Sequence, residues 1–422
     1  MTEKSSQALM EDPIIVGTRE QLLHLLAEAA EIEHTLMCSY LYAAFSLKRR
    51  GEPNLTDEQA NAAEQWRETI LGVAVAEMGH LLIVANLTLA VGGRPHFARP
   101  NFPVAPGYFP AEVTVRLSGF SDETLEHFIF LERPQGAEGE DAGVFRQGNY
   151  EREQRLRGLM PSTQDYATIG HLYDAIRTNV RALADSLGEH GLFLGGTTGQ
   201  LGQEDVDMEG VFPIGTVAAA MRAIDVIVEQ GEGSPGDRDD SHYRRFMGVR
   251  AQLGALRSTD PSFEPAWPVA DNPVLRTPQE PGDTCYISHP ESARMLDFSC
   301  SVYGLLLRTL SQTFGRSEHD APLNRKRLLG LSFELMHILG TACTALARMP
   351  ATESGDPAKA GMTFTMMRGI EPMPFGTVET AVIKERVASL AVAARSIGTL
   401  DPTVSEALGR QAKEFDLKVD SA

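Results

Sequence analysis

The chain has 422 residues, 42% of them apolar and 23% charged, the balance of a globular protein able to bury a large core. Its formal net charge of −19 argues against a phosphate-tracking surface and against docking on anionic lipid, so neither nucleic acid nor membrane is an expected partner. Cys38, Cys285, Cys300 and Cys343 have no CxxC spacing and read as free thiols in a reducing compartment. The first residues, MTEKSSQALMEDP, lack an apolar signal core, and no uninterrupted apolar run approaches the roughly 18 residues of a membrane span, which predicts a cytoplasmic protein.

In chain order, residues 18–50 predict a first long helix, with Thr18 as N-cap and Glu20 in the first turn, ending at Gly51. A second runs over 57–91 and stops at Gly92-Gly93. Residues 94–161 differ in kind: RPHFARPNFPVAPGYFP, a strand candidate in VTVRLSGF, a short helical piece in DETLEHFIFLE, then Gly and acidic residues. This reads as a functional excursion, an insertion forming a wall over a site, with Phe97, Phe102, Tyr108 and Phe109 either lining it or simply packed. Further helices are expected over 163–187, 214–230 and from 241 onward; then, after an irregular Pro-rich connector, over 290–314, 322–349 and 377–398. The fold class is therefore mainly α: a helical bundle over 18–255 with a long insertion after the second helix, a connector over 256–289, and a second C-terminal helical layer over 290–400 packed on the bundle.

A bundle core expels charge, so a carboxylate on an apolar stripe needs a partner. Glu77 and His80 lie three residues apart, about 60° around a helix, on a face shared with Trp66, Ile70, Val73, Leu81 and Val84. Glu-x-x-His on an inward face is the unit used by di-iron carboxylate bundles. On the first helix Glu33 shares its face with Leu22, Leu26, Leu36 and Tyr40, whereas Glu31 and His34 fall on the opposite, wetter side; Glu33 is the ligand candidate and Tyr40 could reach the site as a catalytic side chain. On the third helix His171 and Asp174 share a small, partly polar face, and either could be the ligand. Glu229 on the fourth shares its face with Arg222 and Asp225, so a salt bridge competes with ligation, and His242 follows the QGEGS loop and could swing back toward it. Glu334–His337, in the second layer, has the same spacing but no partner helix bearing carboxylates.

At AEAAEIEHTLMCSYLYAAFSLK, GVAVAEMGHLLIVANLTLAVGG, RPHFARPNFP and VIVEQGEG…SHYRRF the chain resembles the ferritin-like family related to iminophenyl-pyruvate dimer synthases of violacein- and rebeccamycin-type biosynthesis, and the likeness continues through YGLLLRTLSQTF and LLGLSFELMHILGTACTALARMP. The resemblance implies a ferritin-like four-helix bundle with Glu33, Glu77, His80 and Glu229 at the metal-site positions and His242 matching the His after the QGEG loop. The chain departs from it at His171, where members often carry a carboxylate, and at Cys38-Ser39, where they often carry Pro-Pro; the dimer synthases proper are also far longer. A Glu, Asp and His donor set suits iron, two ions, with manganese as the alternative. The expected function is a non-haem di-metal oxidase or oxygenase, an oxidoreductase acting with dioxygen on an amino-acid-derived small molecule in specialised metabolism, with a homodimer allowed. The alternatives are a non-catalytic iron-binding bundle or a structural subunit.

Overall fold

The computed structural model describes residues 13–104, 108–109, 114–135, 137, 140–145, 166, 168–231, 240–279, 282–317, 319–320 and 323–416. The two long helices expected first are present as α1 (Arg19–Ser46) and α2 (Asp57–Ala90). Thr18 caps α1 by accepting from Gln21 N, and Thr56 with Gln59 forms a reciprocal capping box on α2. The two pair along their length as an antiparallel hairpin.

Two further helix lines complete the bundle, and each is broken. α3 (Asp122–Leu131) starts beside the end of α1, where Phe120 N donates to Ser46 Oγ, and α4 (Ile169–Leu187) ends beside the start of α1, where Val16 N donates to Asn179 Oδ1. Together α3 and α4 run antiparallel to α1. After the one-turn α5 (Glu189–Leu192), α6 (Val217–Gly231) and α7 (His242–Thr259) likewise form one line antiparallel to α2, with Trp66 donating to Gln252 and Gln59 to Asp260 near its far end. Both lines break at the level of Glu33 and Glu77. The segment 94–161 thus supplies α3, half of a bundle helix.

α8 (Pro290–Thr313), α9 (Arg325–Leu346), α10 (Thr377–Arg395) and α11 (Pro402–Asp416) form the second layer, α11 lying beyond the last helix expected. This layer covers the side of α1 and α2 that faces away from α3 and α7. That is why nearly every residue of Ile32–Ala44 and Gly79–Ala90 is buried, and why neither helix is amphipathic. It also overturns one expectation. His34, read as wet, is fully buried, with Nδ1 3.0 Å from Phe97 O and Nε2 2.5 Å from the Tyr303 hydroxyl of α8. The VTVRLSGF stretch is no strand over its described part: Leu117 exchanges backbone bonds with the side chain and N–H of Asn272. Instead Pro273–Val274 (β1) and Cys285–Tyr286 (β2) make a short parallel pair in the connector. By length and composition α2 and α9 would suffice to cross a bilayer, but the apolar stretch of α2 is mostly buried inside the bundle.

Candidate metal centre

Five side chains from four helices converge at the two breaks. Glu33 comes from mid-α1, Glu77 and His80 from mid-α2, Glu132 from the C-cap of α3, and His242 from the first position of α7. All five are buried, each at 4% exposure or less. They form two triads of donor atoms, Glu33–Glu77–His80 and Glu77–Glu132–His242, each with its atoms within 4.8 Å of one another.

Glu77 belongs to both triads and divides its oxygens between them. Oε2 lies 3.1 Å from His80 Nδ1, and Oε1 lies 2.9 Å from His242 Nδ1. The outer carboxylates mirror each other: Glu33 Oε2 is 3.4 Å from His80 Nδ1, and Glu132 Oε2 is 3.6 Å from His242 Nδ1. Each outer carboxylate is held by a tyrosine, Glu33 Oε1 accepting from the Tyr173 hydroxyl of α4 and Glu132 Oε1 from the Tyr40 hydroxyl of α1. Burial, then the neighbouring carboxylates, push both phenols well above their usual range, so they stay protonated donors. Tyr40 is wedged between Phe128 and Phe246, ring centroids 4.6 and 5.1 Å away, which points its hydroxyl at the site.

The arrangement fits two cations. Three carboxylates and two imidazoles share one buried cluster, and among the described residues no lysine or arginine lines the small cavity that Glu33, Glu77, His80 and Glu132 border with Leu36, Ile169 and Ile227. That cavity, about 20 Å³, holds roughly one water-sized body. His242 Nδ1 is buried with no hydrogen-bond partner of good geometry although a Glu77 oxygen lies 2.9 Å away, an orphaned position that a shared ion would satisfy. One carboxylate bridging two positions, each completed by a carboxylate and a histidine, is the di-metal carboxylate pattern.

Without metal the cluster must be held by protons. Burial and the adjacent Glu77 charge push Glu33 up to about 8. Burial works against protonation of His242, but Glu77 and Glu132 outweigh it and raise it to about 9. Glu77, despite burial, is drawn well below the carboxylate range by Glu33 and both histidines. A raised folded pKa gives stability that is present below the unfolded value and lost as pH rises through the folded one. Metal-free protein is therefore expected to lose thermal stability steadily from about pH 5 to about pH 9, as Glu33 and then His242 give up protons. Metal-loaded protein, whose cations replace those protons, should show a flat or rising melting temperature over the same range by calorimetry.

Of the residues expected from the sequence, Glu33, Tyr40, Glu77, His80 and His242 are brought together, whereas His171, Asp174 and Glu229 lie elsewhere. His171 is buried, but it sits two residues, about 200° around α4, from Tyr173, whose hydroxyl points at the site. Asp174 is exposed and 3.6 Å from Arg177. Glu229 is on the exposed face of α6; its neighbour Gln230 turns inward, with Oε1 3.0 Å from His80 Nε2. Of the two charged residues on its face, Asp225 pairs with Arg177 and Arg222 stacks on Phe212. Glu334–His337 stays apart, His337 Nδ1 bonding Phe333 O of its own helix, and Glu31 pairs with His96. Sequence reasoning missed Glu132, Tyr173 and Gln230.

Residues 26–251, more than half of the chain, match the Ferritin-like family, and the chain belongs to it. It is 26% identical over 436 aligned residues, 95% of this chain and 41% of the relative, to dichlorochromopyrrolate synthase of Lentzea aerocolonigenes. It is 27% identical over 381 residues, 82% of this chain and 34% of the relative, to 2-imino-3-(indol-3-yl)propanoate dimerase of Chromobacterium violaceum. The chain thus spans only a third to two fifths of the length of these curated relatives. A solved ferritin-like protein from Caulobacter vibrioides superposes with a TM-score of 0.51 at 17% identity, covering 84% of this chain and 99% of that one, a likeness of fold alone.

Proposed function

We propose that the protein is a non-haem di-metal oxidase or oxygenase, with iron as the metal, acting on an amino-acid-derived aromatic acid. The observation that carries this reading is the pair of buried triads sharing Glu77. Glu33, Glu77, His80, Glu132 and His242 would hold two ions, which when bound supply the activation of dioxygen. Tyr40 and Tyr173 orient the outer carboxylates and keep a proton on the hydroxyl that faces them. Beside the metal cavity, and sharing Leu36, Leu131 and Ile169 with it, lies a second small apolar cavity, about 20 Å³, lined also by Ile32, Phe109 and Val115, with Arg133 and Tyr166 among its walls. Of the aromatics in the excursion, Phe109 lines this second cavity, whereas Phe97 packs on Phe314 and Phe102 lies under Arg99. The names of the two relatives, one of them a 2-imino-3-(indol-3-yl)propanoate dimerase, support an amino-acid-derived substrate for this shorter chain.

Protein loaded anaerobically with Fe(II) and then mixed with oxygenated buffer is expected to consume dioxygen faster in the presence of an aromatic 2-keto or 2-imino acid, with an oxidised product visible by mass spectrometry. Oxygen uptake proportional to iron and indifferent to every organic acid would instead identify an iron-handling bundle. Absence of bound metal would sink both.

A further inference from the structure

We infer that Gln230, itself oriented by Glu209, is a positioning residue that holds a hydrogen on His80 Nε2 and so leaves Nδ1, the nitrogen beside Glu33 and Glu77, as the one that would give up its hydrogen to a metal. This rests on the di-metal reading for its purpose, but the hydrogen bonds stand without it.

A glutamine amide is nearly symmetric in shape, so its orientation is decided by what its two ends meet. Here the decision is unambiguous. Gln230 Nε2 lies 2.9 Å from Glu209 Oε2, and a carboxylate oxygen only accepts, so the NH2 group faces Glu209. The opposite end, Oε1, then faces His80 Nε2 at 3.0 Å. A carbonyl oxygen also only accepts, so His80 Nε2 must carry the hydrogen. The nitrogen left for coordination is Nδ1, the atom that lies 3.1 Å from Glu77 and 3.4 Å from Glu33. Flipping the amide would set its oxygen against the Glu209 carboxylate. It would also call for a bare Nε2, leaving the ring's one remaining hydrogen on Nδ1, where a metal would have to displace it.

The relay begins at the surface. Glu209 is exposed, in the loop before α6, and together with Gln230, Asp207, Asp240 and His242 it borders a polar cavity of about 260 Å³ against the small residues Gly72, Ala76 and Gly79 of α2. An exposed carboxylate thus sets the protonation pattern of a histidine that is 2% exposed. Partners of this kind, one shell out from a ligand, commonly change metal affinity about 10- to 100-fold when removed. The position also accounts for the inward turn of Gln230 where the adjacent Glu229 faces out.

The test compares Gln230→Leu, Gln230→Glu and Glu209→Ala with the unaltered chain. Two readouts are used: the His80 imidazole N–H signals of 15N-labelled, metal-free protein, assigned with His80→Asn, and zinc affinity by competition with a chromophoric chelator. The His80 Nε2–H signal should be protected from exchange in the unaltered chain and in Gln230→Glu, whose carboxylate still accepts it, and should be lost in Gln230→Leu. Zinc affinity should fall about 10- to 100-fold in Gln230→Leu, recover in Gln230→Glu, and fall less in Glu209→Ala, where the amide is free to rotate. Equal losses in Leu and Glu variants, or an unchanged Nε2–H signal in Gln230→Leu, would reduce Gln230 to a space-filling role and overturn the inference. An unaltered spectrum and affinity in Glu209→Ala would remove Glu209 from it. Should the unaltered chain bind no zinc or iron, the di-metal reading fails, while the metal-free spectra still decide the relay.

Discussion

Glu77→Ala is expected to abolish metal binding altogether, reducing roughly two bound ions per chain to none by elemental analysis. The reason is the division of its oxygens, Oε2 toward His80 and Oε1 toward His242, which makes Glu77 the one donor common to both triads. Removing an outer carboxylate should be milder. Glu33→Ala leaves the Glu132–His242 side intact, and Glu132→Ala leaves the Glu33–His80 side intact, so each is expected to lose about one ion. Glu229→Ala should retain both, because that side chain stands on the exposed face of α6. Equal metal content in Glu77→Ala and Glu229→Ala would dismantle the proposed centre. Because Glu77 is the counter-charge of His80 and His242 in the metal-free protein, Glu77→Gln, which keeps the shape and removes the charge, is measured beside the Ala variant, with circular dichroism confirming that each is folded.

The second large effect lies outside the candidate metal centre, where α10 docks on α8. Glu379 and Arg316 form an ion pair with side chains 0% and 1% exposed. The guanidinium also reaches the carbonyls of Gln312 and Leu323 and lies 3.9 Å from the Phe375 ring centroid, while Gln312 bonds Glu379 and both backbone groups of Met373. Glu379→Ala leaves that buried cation without its counter-charge, at an expected cost of about 3–5 kcal/mol. Replacing both partners with apolar residues, Arg316→Met with Glu379→Leu, should recover most of the loss, because neither desolvated charge remains. Denaturant unfolding of the three forms measures this directly. A Glu379→Ala loss no greater than that of the double variant would show that the pair does not hold the layer together. Metal content should be unaffected in all three.

How much of this was legible beforehand differs from residue to residue. Glu33, Glu77 and His80 were readable because each is a polar side chain inside an apolar stripe, and helical periodicity reports such a conflict within a single segment. Glu132 was not, although a signal existed. It follows a short helix rich in Phe and Leu, at a C-terminus, where the helix dipole disfavours a carboxylate and so hints at a cation to be met. Gln230 was passed over for Glu229 because charge drew attention to the residue one place away. On a helix one place is about 100°, the difference between solvent and the back of His80. His34 was misjudged for another reason: the polar neighbours on its own helix suggested water, but the opposing surface belongs to α8, some 270 residues later in the chain.

The sequence by itself determined that the chain is a helical bundle, where its two central helices run, and which three side chains on them oppose the apolar core. It did so because helix formation is local and places side chains on one face every 3.6 residues, so a charged group among apolar neighbours shows within a single segment. Only the tertiary structure decided that the third and fourth helix lines break at the same level, that Glu132 and His242 stand at those breaks, and that Glu77 faces both. Such convergence depends on how separate segments pack, and packing joins residues whose spacing along the chain carries no period. The pair Glu77–His80 was visible from its spacing; that Glu77 belongs to two buried triads of donor side chains was not.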